Sequence, residues 1–191
     1  MPSLRLPEPP LRDDRVVLRP WTEADLPAAA EGARDPLVPR FTRVPENQSD
    51  AELRRFFGTH DAALAGGEAL WLAISDAASD AFLGSSGLMR FDWEELRCEI
   101  GYWVAPWARG QGVATRATRL LSRWALLDLG LGRLSLHADT DNPASHRVAE
   151  RAGFIREGVL RSYERRKGMR HDLVSYSLVA SDLDTDSSAR S

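Results

Sequence analysis

The segment Tyr102–Thr115, YWVAPWARGQGVAT, constrains this chain more than any other. It passes from an apolar run through a proline turn into Arg-Gly-Gln-Gly and then into a long helical pattern. Two glycines let backbone amides face a ligand at close range. The first turn of a helix adds N–H groups without intrahelical partners and the positive end of the helix dipole. A pyrophosphate fits such a place. The spacing is not that of a dinucleotide-binding turn, because Thr115 stands where a third glycine belongs, and no Gly-Lys-Ser/Thr follows to make a P-loop. Taken alone, the two glycines read as an ordinary turn before a helix.

The flanking patterns supply an α/β order. Arg15–Pro20 reads as a first strand, and Thr22 with Asp25 as a helix start, a capping hydroxyl followed by an acidic first turn. After a proline-interrupted loop, Asp35–Asn47, the run Ser49–Gly67 reads as one helix. Leu53, Phe56, Phe57 and Leu64 form its apolar stripe, and Gly66–Gly67 its stop. Ala69–Ser75, Ala81–Arg90 and Leu96–Val104 read as three strands of an antiparallel meander. From Gly112 the period changes to about 3.6, with Val113, Ala117, Leu120, Leu121, Trp124 and Ala125 on one face and Arg116, Arg119 and Arg123 towards another. Arg133–Ala138 follows as a buried strand, Pro143–Arg151 as a short helix closed by Gly153, and Phe154–Tyr163 with Asp172–Val179 as a final strand pair.

At 191 residues and 43% hydrophobic composition, one core is expected. Residues 15–179 are read as the domain, 1–14 as an extension, and 180–191 as a disordered tail too poor in apolar residues to pack. Prolines and charges interrupt the N-terminus where a secretion signal needs an apolar run, and no stretch reaches the roughly 20 apolar residues of a membrane span. A soluble, cytoplasmic protein is expected. The formal charge of −3 argues against a chain built to grip phosphate backbones. Cys98 is the one cysteine and no Cys/His spacing resembles a metal site, so neither an internal disulfide nor a metal is expected.

Three ordered matches carry a family resemblance. Arg109, Gly112 and Ala114 fit the Arg/Gln-x-x-Gly-x-Gly/Ala acyl-coenzyme A signature of the GNAT superfamily of N-acetyltransferases. Asn142-Pro-Ala-Ser145, closed by Gly153-Phe154, is similar to the later strand-to-helix segment of the branch that contains ribosomal-protein N-terminal acetyltransferases. Leu18-Arg19-Pro20 with Asp25, Ile100-Gly101-Tyr102-Trp103 and Asp172-Leu173-Val174 resemble that branch too. The resemblance covers roughly residues 15–179.

It implies an α/β (α+β) fold: one domain whose mixed, mostly antiparallel sheet splays at the acyl-CoA site and is flanked by about four helices. The strand ending at Trp103–Val104 would part from Arg133–Ala138, with pantetheine in the gap. Arg109 and the amides of Gly110, Gln111, Gly112, Val113, Ala114 and Thr115 would receive the pyrophosphate. Asn142 and Ser145 would lie beside the pantetheine and thioester, and Arg147 either reaches a nucleotide phosphate or is a solvated helix arginine.

Direct transfer needs a neutral amine, a polarised thioester carbonyl and a proton for the departing thiolate. The amide near Val104 is the candidate oxyanion donor. Many relatives place a tyrosine acid where this chain has Ala149, so Ser145 is the replacement candidate, against a plain capping or CoA-contacting hydroxyl. Glu99 is the candidate base, with burial expected to raise its pKa; the competing reading is a salt bridge to Arg97 or Arg133. Cys98 reads as a small buried hydrophobe rather than an acyl-carrying nucleophile, and the four histidines as surface or packing residues. Arg161–His171 reads as a solvated basic hairpin, against a contact for acidic protein or RNA. Trp93 among Asp92, Glu94 and Glu95 is either an attractor for a cationic amine or an exposed turn, and Phe41 and Tyr163 are expected near the acceptor. The expectation is an acetyl-CoA-dependent N-acetyltransferase acting on a protein N-terminus or small amine, with a homodimer as its assembly. The rivals are another acyl donor such as succinyl-CoA, an acyl-CoA-binding regulatory domain without turnover, and, as the weakest, RNA binding.

Overall fold

The computed structural model of the chain describes residues 4–44 and 49–186. Its sheet has eight strands: β1 (Leu11–Arg12), β2 (Val16–Arg19), β3 (Ala69–Asp76), β4 (Phe82–Asp92), β5 (Arg97–Val104), β6 (Arg133–Asp139), β7 (Ile155–Arg166) and β8 (Met169–Leu178). They lie in the order β1-β2-β3-β4-β5-β6-β8-β7, and only the β5–β6 pair is parallel. That one parallel pair follows from the crossover between them, a helix that needs a dozen or more residues to return the chain in the same direction.

Six α-helices flank the sheet among the described residues: α1 (Leu26–Ala33), α2 (Leu37–Phe41), α3 (Asp50–Phe57), α4 (Thr59–Ala65), α5 (Val113–Leu127) and α6 (Pro143–Arg151). The α5 stripe behaves as its period dictates. Val113, Ala117, Leu121, Trp124 and Ala125 are buried with Leu120 half-buried, while Arg119 and Arg123 are exposed. This helix packs on one sheet face with Leu70, Leu72, Ile74, Leu88, Cys98 and Ile100. Alternate residues of the same strands face the other way, where Ala73 and Trp103 meet Ala29, Ala30, Ala33 and Val38 of α1 and α2.

Four expectations change. The single helix over Ser49–Gly67 is two, because Gly58 caps the first and the Thr59 hydroxyl takes the Phe56 carbonyl as the second begins. Phe56 and Leu64 are half-buried; the side chains of Leu53 and Phe57 fall outside the described residues. The loop Asp35–Asn47 contains α2, while its positions 45–48 also fall outside them. The N-terminal stretch adds a strand and packs Leu4, Leu6 and Leu11 against the core. Ala180–Asp186 forms 3₁₀ turns with Leu183 on the core, where a disordered tail was expected; 187–191 are not described.

Strand β2 is joined to α1 by a buried ion pair. Asp25 is 3% exposed, and its carboxylate accepts from Arg19 Nη1 and Nη2 at 2.8 and 2.9 Å and from the Thr22 amide at 2.8 Å. Burial pushes this carboxyl up, but the Arg19 and Thr22 hydrogen bonds outweigh it and hold it below the ordinary 3.8. Removing the charge leaves Arg19 without its main partner, a loss of about 3 kcal/mol for a pair of this kind. Asp25→Asn should therefore destabilise the chain by about that amount at neutral pH, measured by urea unfolding. Because the folded pKa is depressed, the wild-type advantage is complete above the unfolded value and shrinks as pH falls through the folded one. A gap between variant and wild type that widens on acidification would contradict this.

Candidate active site

Strands β5 and β6 stay paired only from Arg97↔Arg133 to Glu99↔Ser135. Beyond Glu99, β5 follows β4 as far as Val104, and β6 follows β8 as far as Asp139. The two part as a fork, leaving the facing ladder positions of Ile100–Val104 and Leu136–Ala138 unpaired with each other, and a cleft of about 480 Å³ opens there. This is the splay expected from the resemblance. Trp103 and Val104 line one arm.

At one end stands the start of α5. Gly110 and Gly112 have φ of +74° and +77°, a region costly for residues with a Cβ, and no side chain caps the helix. A Cβ built at either glycine would meet nothing within 4 Å, so their requirement is one of backbone conformation and open approach. Gly110, Gly112, Val113, Ala114 and Thr115 face the cleft; Gln111 does not, and its amide donates to the Trp107 carbonyl. Arg109 lines the cleft too, but its guanidinium is already engaged, with Nη2 2.8 Å from Asp35 and Nε donating to the Val104 carbonyl at 3.3 Å. With Arg109 engaged, the uncapped start of α5 presents backbone amides at this end.

Across the fork, α6 contributes Asn142, Ser145 and Arg147. The Asn142 side chain caps this helix by accepting from the Ser145 amide at 3.2 Å, so the capping task proposed for Ser145 belongs to Asn142. Arg147 is exposed on the same helix. Near Ser145 stands a phenol that sequence reasoning passed over. The Tyr102 hydroxyl is enclosed and has no hydrogen-bond partner of ordinary geometry, yet Ser145 lies close enough to offset part of the burial that pushes it up to about 12. It stays protonated at neutral pH.

Glu99 lies where the fork begins. Its carboxylate contacts Arg90 Nη1 at 2.6 Å and His137 Nδ1 at 2.9 Å; Arg97 pairs with Asp92 and Arg133 with Glu157 instead. Burial pushes Glu99 up, but the His137 hydrogen bond and the Arg90 charge win, and its pKa is lowered. The raised pKa expected from burial alone is thus corrected by two partners that sequence adjacency does not reveal. His137 was readable only by alternation: Arg133, Ser135 and His137 share a face of β6, and the parallel register sets Ser135 beside Glu99.

A wider charge network follows. Glu164 is held by Arg43 at 2.7 Å, Arg166 at 2.9 Å and Arg90 at 3.5 Å. Arg166 also pairs with Asp139, and His171 Nδ1 lies 3.1 Å from Asp139. Arg166 is 7% exposed, so the Arg161–His171 run is not a wholly solvated hairpin; one of its arginines is a buried member of the site. No motif pointed to Glu164, which stands inside that basic run. From the far side α2 reaches across, through Arg40–Asp141 at 2.6 Å, Arg43–Glu164 and the Lys167 ammonium on the Pro39 carbonyl. Phe41 lines the cleft, and Tyr163 packs on His137 with ring centroids 5.1 Å apart. Trp93 is structural, stacked on Phe91 and donating to the Gly67 carbonyl. Cys98 is buried in the α5-side core with its thiol pushed far up by burial, unsuited to carry an acyl group. No group of three or more potential metal ligands occurs among the described residues.

Comparison with known proteins agrees with this geometry. The chain is 41% identical over 96 residues to the putative ribosomal N-acetyltransferase YdaF of Bacillus subtilis, a match spanning about half of each protein, 50% of this chain and 52% of that one. It is 28% identical to the uncharacterized N-acetyltransferase YoaA of the same organism over 90% of this chain and 97% of that one. A coenzyme A complex of RimL, a ribosomal L7/L12 α-N-protein acetyltransferase, superposes with a TM-score of 0.75 at 21% identity, covering 87% of this chain and 95% of that one. Residues 15–155 match the model of the acetyltransferase (GNAT) domain, and with the forked sheet and its open helix N-terminus this chain belongs to the GNAT acetyltransferase family.

Proposed function

We propose that the chain is an acetyl-CoA-dependent N-acetyltransferase that transfers the acetyl group directly to a primary amine, on a protein N-terminus or a small molecule. The observation that carries this reading is the fork after Glu99 opening towards an uncapped helix N-terminus. An extended amide-bearing arm can pair with the free strand edges while a pyrophosphate sits on the amides of Gly110–Thr115. The likeness to RimL, solved with coenzyme A, supports the same donor. Bound acetyl-CoA supplies a thioester carbonyl open to attack.

The residues then divide the proton work. The amine nitrogen forms its bond to the acetyl carbon as the carbon–sulfur bond breaks; the ammonium must first lose a proton, and the thiolate must gain one. His137, which lines the cleft and is oriented through Nδ1 by Glu99, is the proposed base, because its imidazole can take the amine proton whereas the lowered Glu99 is too weak a base alone. Glu99 acts as its anchor. Ser145 is the proposed proton donor to the thiolate, backed by the protonated Tyr102 hydroxyl.

Free-thiol release from acetyl-CoA, measured across peptides and small amines, tests the function; binding of CoA without release on any acceptor would reject it. Gly112→Val should weaken CoA binding by roughly 10-fold or more, because the left-handed backbone at φ +77° strains a β-branched residue and moves the amides. Unchanged affinity in a folded variant would move the pyrophosphate elsewhere. Ser145→Ala should lower kcat by roughly 10²-fold while acetyl-CoA binding is kept; an equal loss in both would make Ser145 a binding contact. His137→Ala should lower kcat by roughly 10²-fold while acetyl-CoA binding is kept. Glu99→Gln removes the charged anchor of His137 and should lower kcat while acetyl-CoA binding is kept. A Gln variant with the wild-type kcat would return Glu99 to a structural ion pair with Arg90.

A further inference from the structure

The acceptor side of the cleft has a floor that the catalytic groups do not explain. Trp71, Gly87 and Gly101 lie in register across β3, β4 and β5. A Cβ on Gly87 would stand 2.4 Å from the Trp71 ring, and one on Gly101 would stand 2.8 Å from the Met89 methyl. The two glycines let Trp71 and Met89 lie down over bare backbone, and both line the cleft beside Glu99. His60 stacks on Trp71 with centroids 5.7 Å apart and planes 26° apart, and Phe56 meets His60 edge-on. Phe41 of α2 lines the same end. Burial lowers His60 to about 4, so it adds no charge at neutral pH. The trough is aromatic and neutral.

Among the described residues, each carboxylate that lines the cleft has a cationic partner. Glu99 is matched by Arg90, Asp139 by Arg166, and Glu164 by Arg43 and Arg166. A second or third ammonium on an acceptor would find no unmatched carboxylate among these, and a cation–π contact with Trp71 would offset only part of the hydration lost against the apolar floor. Given the transfer reading above, we infer that the acceptor is a monoamine bearing a bulky apolar or aromatic substituent next to its nitrogen, bedded on Trp71 and Met89, and that polyamines are poor acceptors. The step is unchanged: the nitrogen–acetyl bond forms as the carbon–sulfur bond breaks, the amine proton leaves through His137, and the thiolate takes one from Ser145.

Thiol release by the full chain should be compared for phenethylamine, phenylalanyl and leucyl peptide amides, glycyl and seryl peptide amides, and spermidine. The bulky apolar arms should exceed the glycyl and seryl arms by roughly 10-fold or more in kcat/KM, the scale on which hydrophobic pockets discriminate. Spermidine should fall below all of them. Trp71→Ala should bring the phenylalanyl-to-glycyl ratio to within about threefold, chiefly through KM; where thermal unfolding shows that variant misfolded, Met89→Ala serves the same purpose. Turnover of phenethylamine matching the peptide assigns a small amine, and turnover of the peptide alone assigns a polypeptide N-terminus; either supports the inference. A preference for glycyl peptides or spermidine in the folded wild type overturns the trough and leaves the transferase reading standing. CoA binding with no release on any acceptor overturns both.

Discussion

The parallel ladder between β5 and β6 is three residue pairs long, and the site exists because it stops there. A sheet that continued would satisfy its own backbone groups and close the cleft. Stopping leaves two strand edges facing each other across a gap, a costly arrangement unless something pairs with them. What keeps the arms apart is their outer allegiance: β5 holds to β4 through Val104, and β6 holds to β8 through Asp139. Trp103 is buried among Phe82, Ala29 and Ala30 on the face opposite α5, which anchors the β5 arm. Glu99 and His137 meet where the arms part, so the contact that marks the fork is also the pair proposed to take the amine proton.

Much of this frame was legible because local chemistry agreed with tertiary need. The α5 stripe, the Asn142–Gly153 segment and the glycines before Val113 each specify their structure with residues close in sequence. The partners of Glu99 were not legible. Arg90 reaches it across the β4–β5 hairpin and His137 from a strand that follows a whole helix, and neither neighbourhood follows from spacing. The same limit hid Tyr102, whose value depends on α6 folding back towards β5, and Glu164, which local composition dressed as part of a basic run. The split of Ser49–Gly67 into two helices turned on Gly58, a residue an amphipathic pattern reads past.

The charge arrangement shows why burial alone is a poor guide to basicity. Glu99 is enclosed, which by itself favours the neutral acid, yet the His137 hydrogen bond and the Arg90 charge reverse the sign. Asp25 repeats the lesson in the framework, where Arg19 and the Thr22 amide outweigh burial. Arginine suits this role: its planar fork holds two carboxylates at once, as Arg90 does with Glu99 and Glu164 and Arg166 with Asp139 and Glu164. The result is a cleft dense in charge and locally balanced.

Arg109 carries one more implication. It sits in the glycine loop, but its side chain spans from the last carbonyl of β5 to Asp35, at the corner between α1 and α2. That corner leads directly into the segment carrying Phe41 and Arg43, which lines the cleft. In the proposed reading, one strut therefore joins the loop assigned to the donor to the segment assigned to the acceptor. Were a donor bound at the loop to draw Arg109 away from Asp35, the segment beyond Asp35 would lose a tie, and linkage would make any resulting change in affinity reciprocal between donor and acceptor.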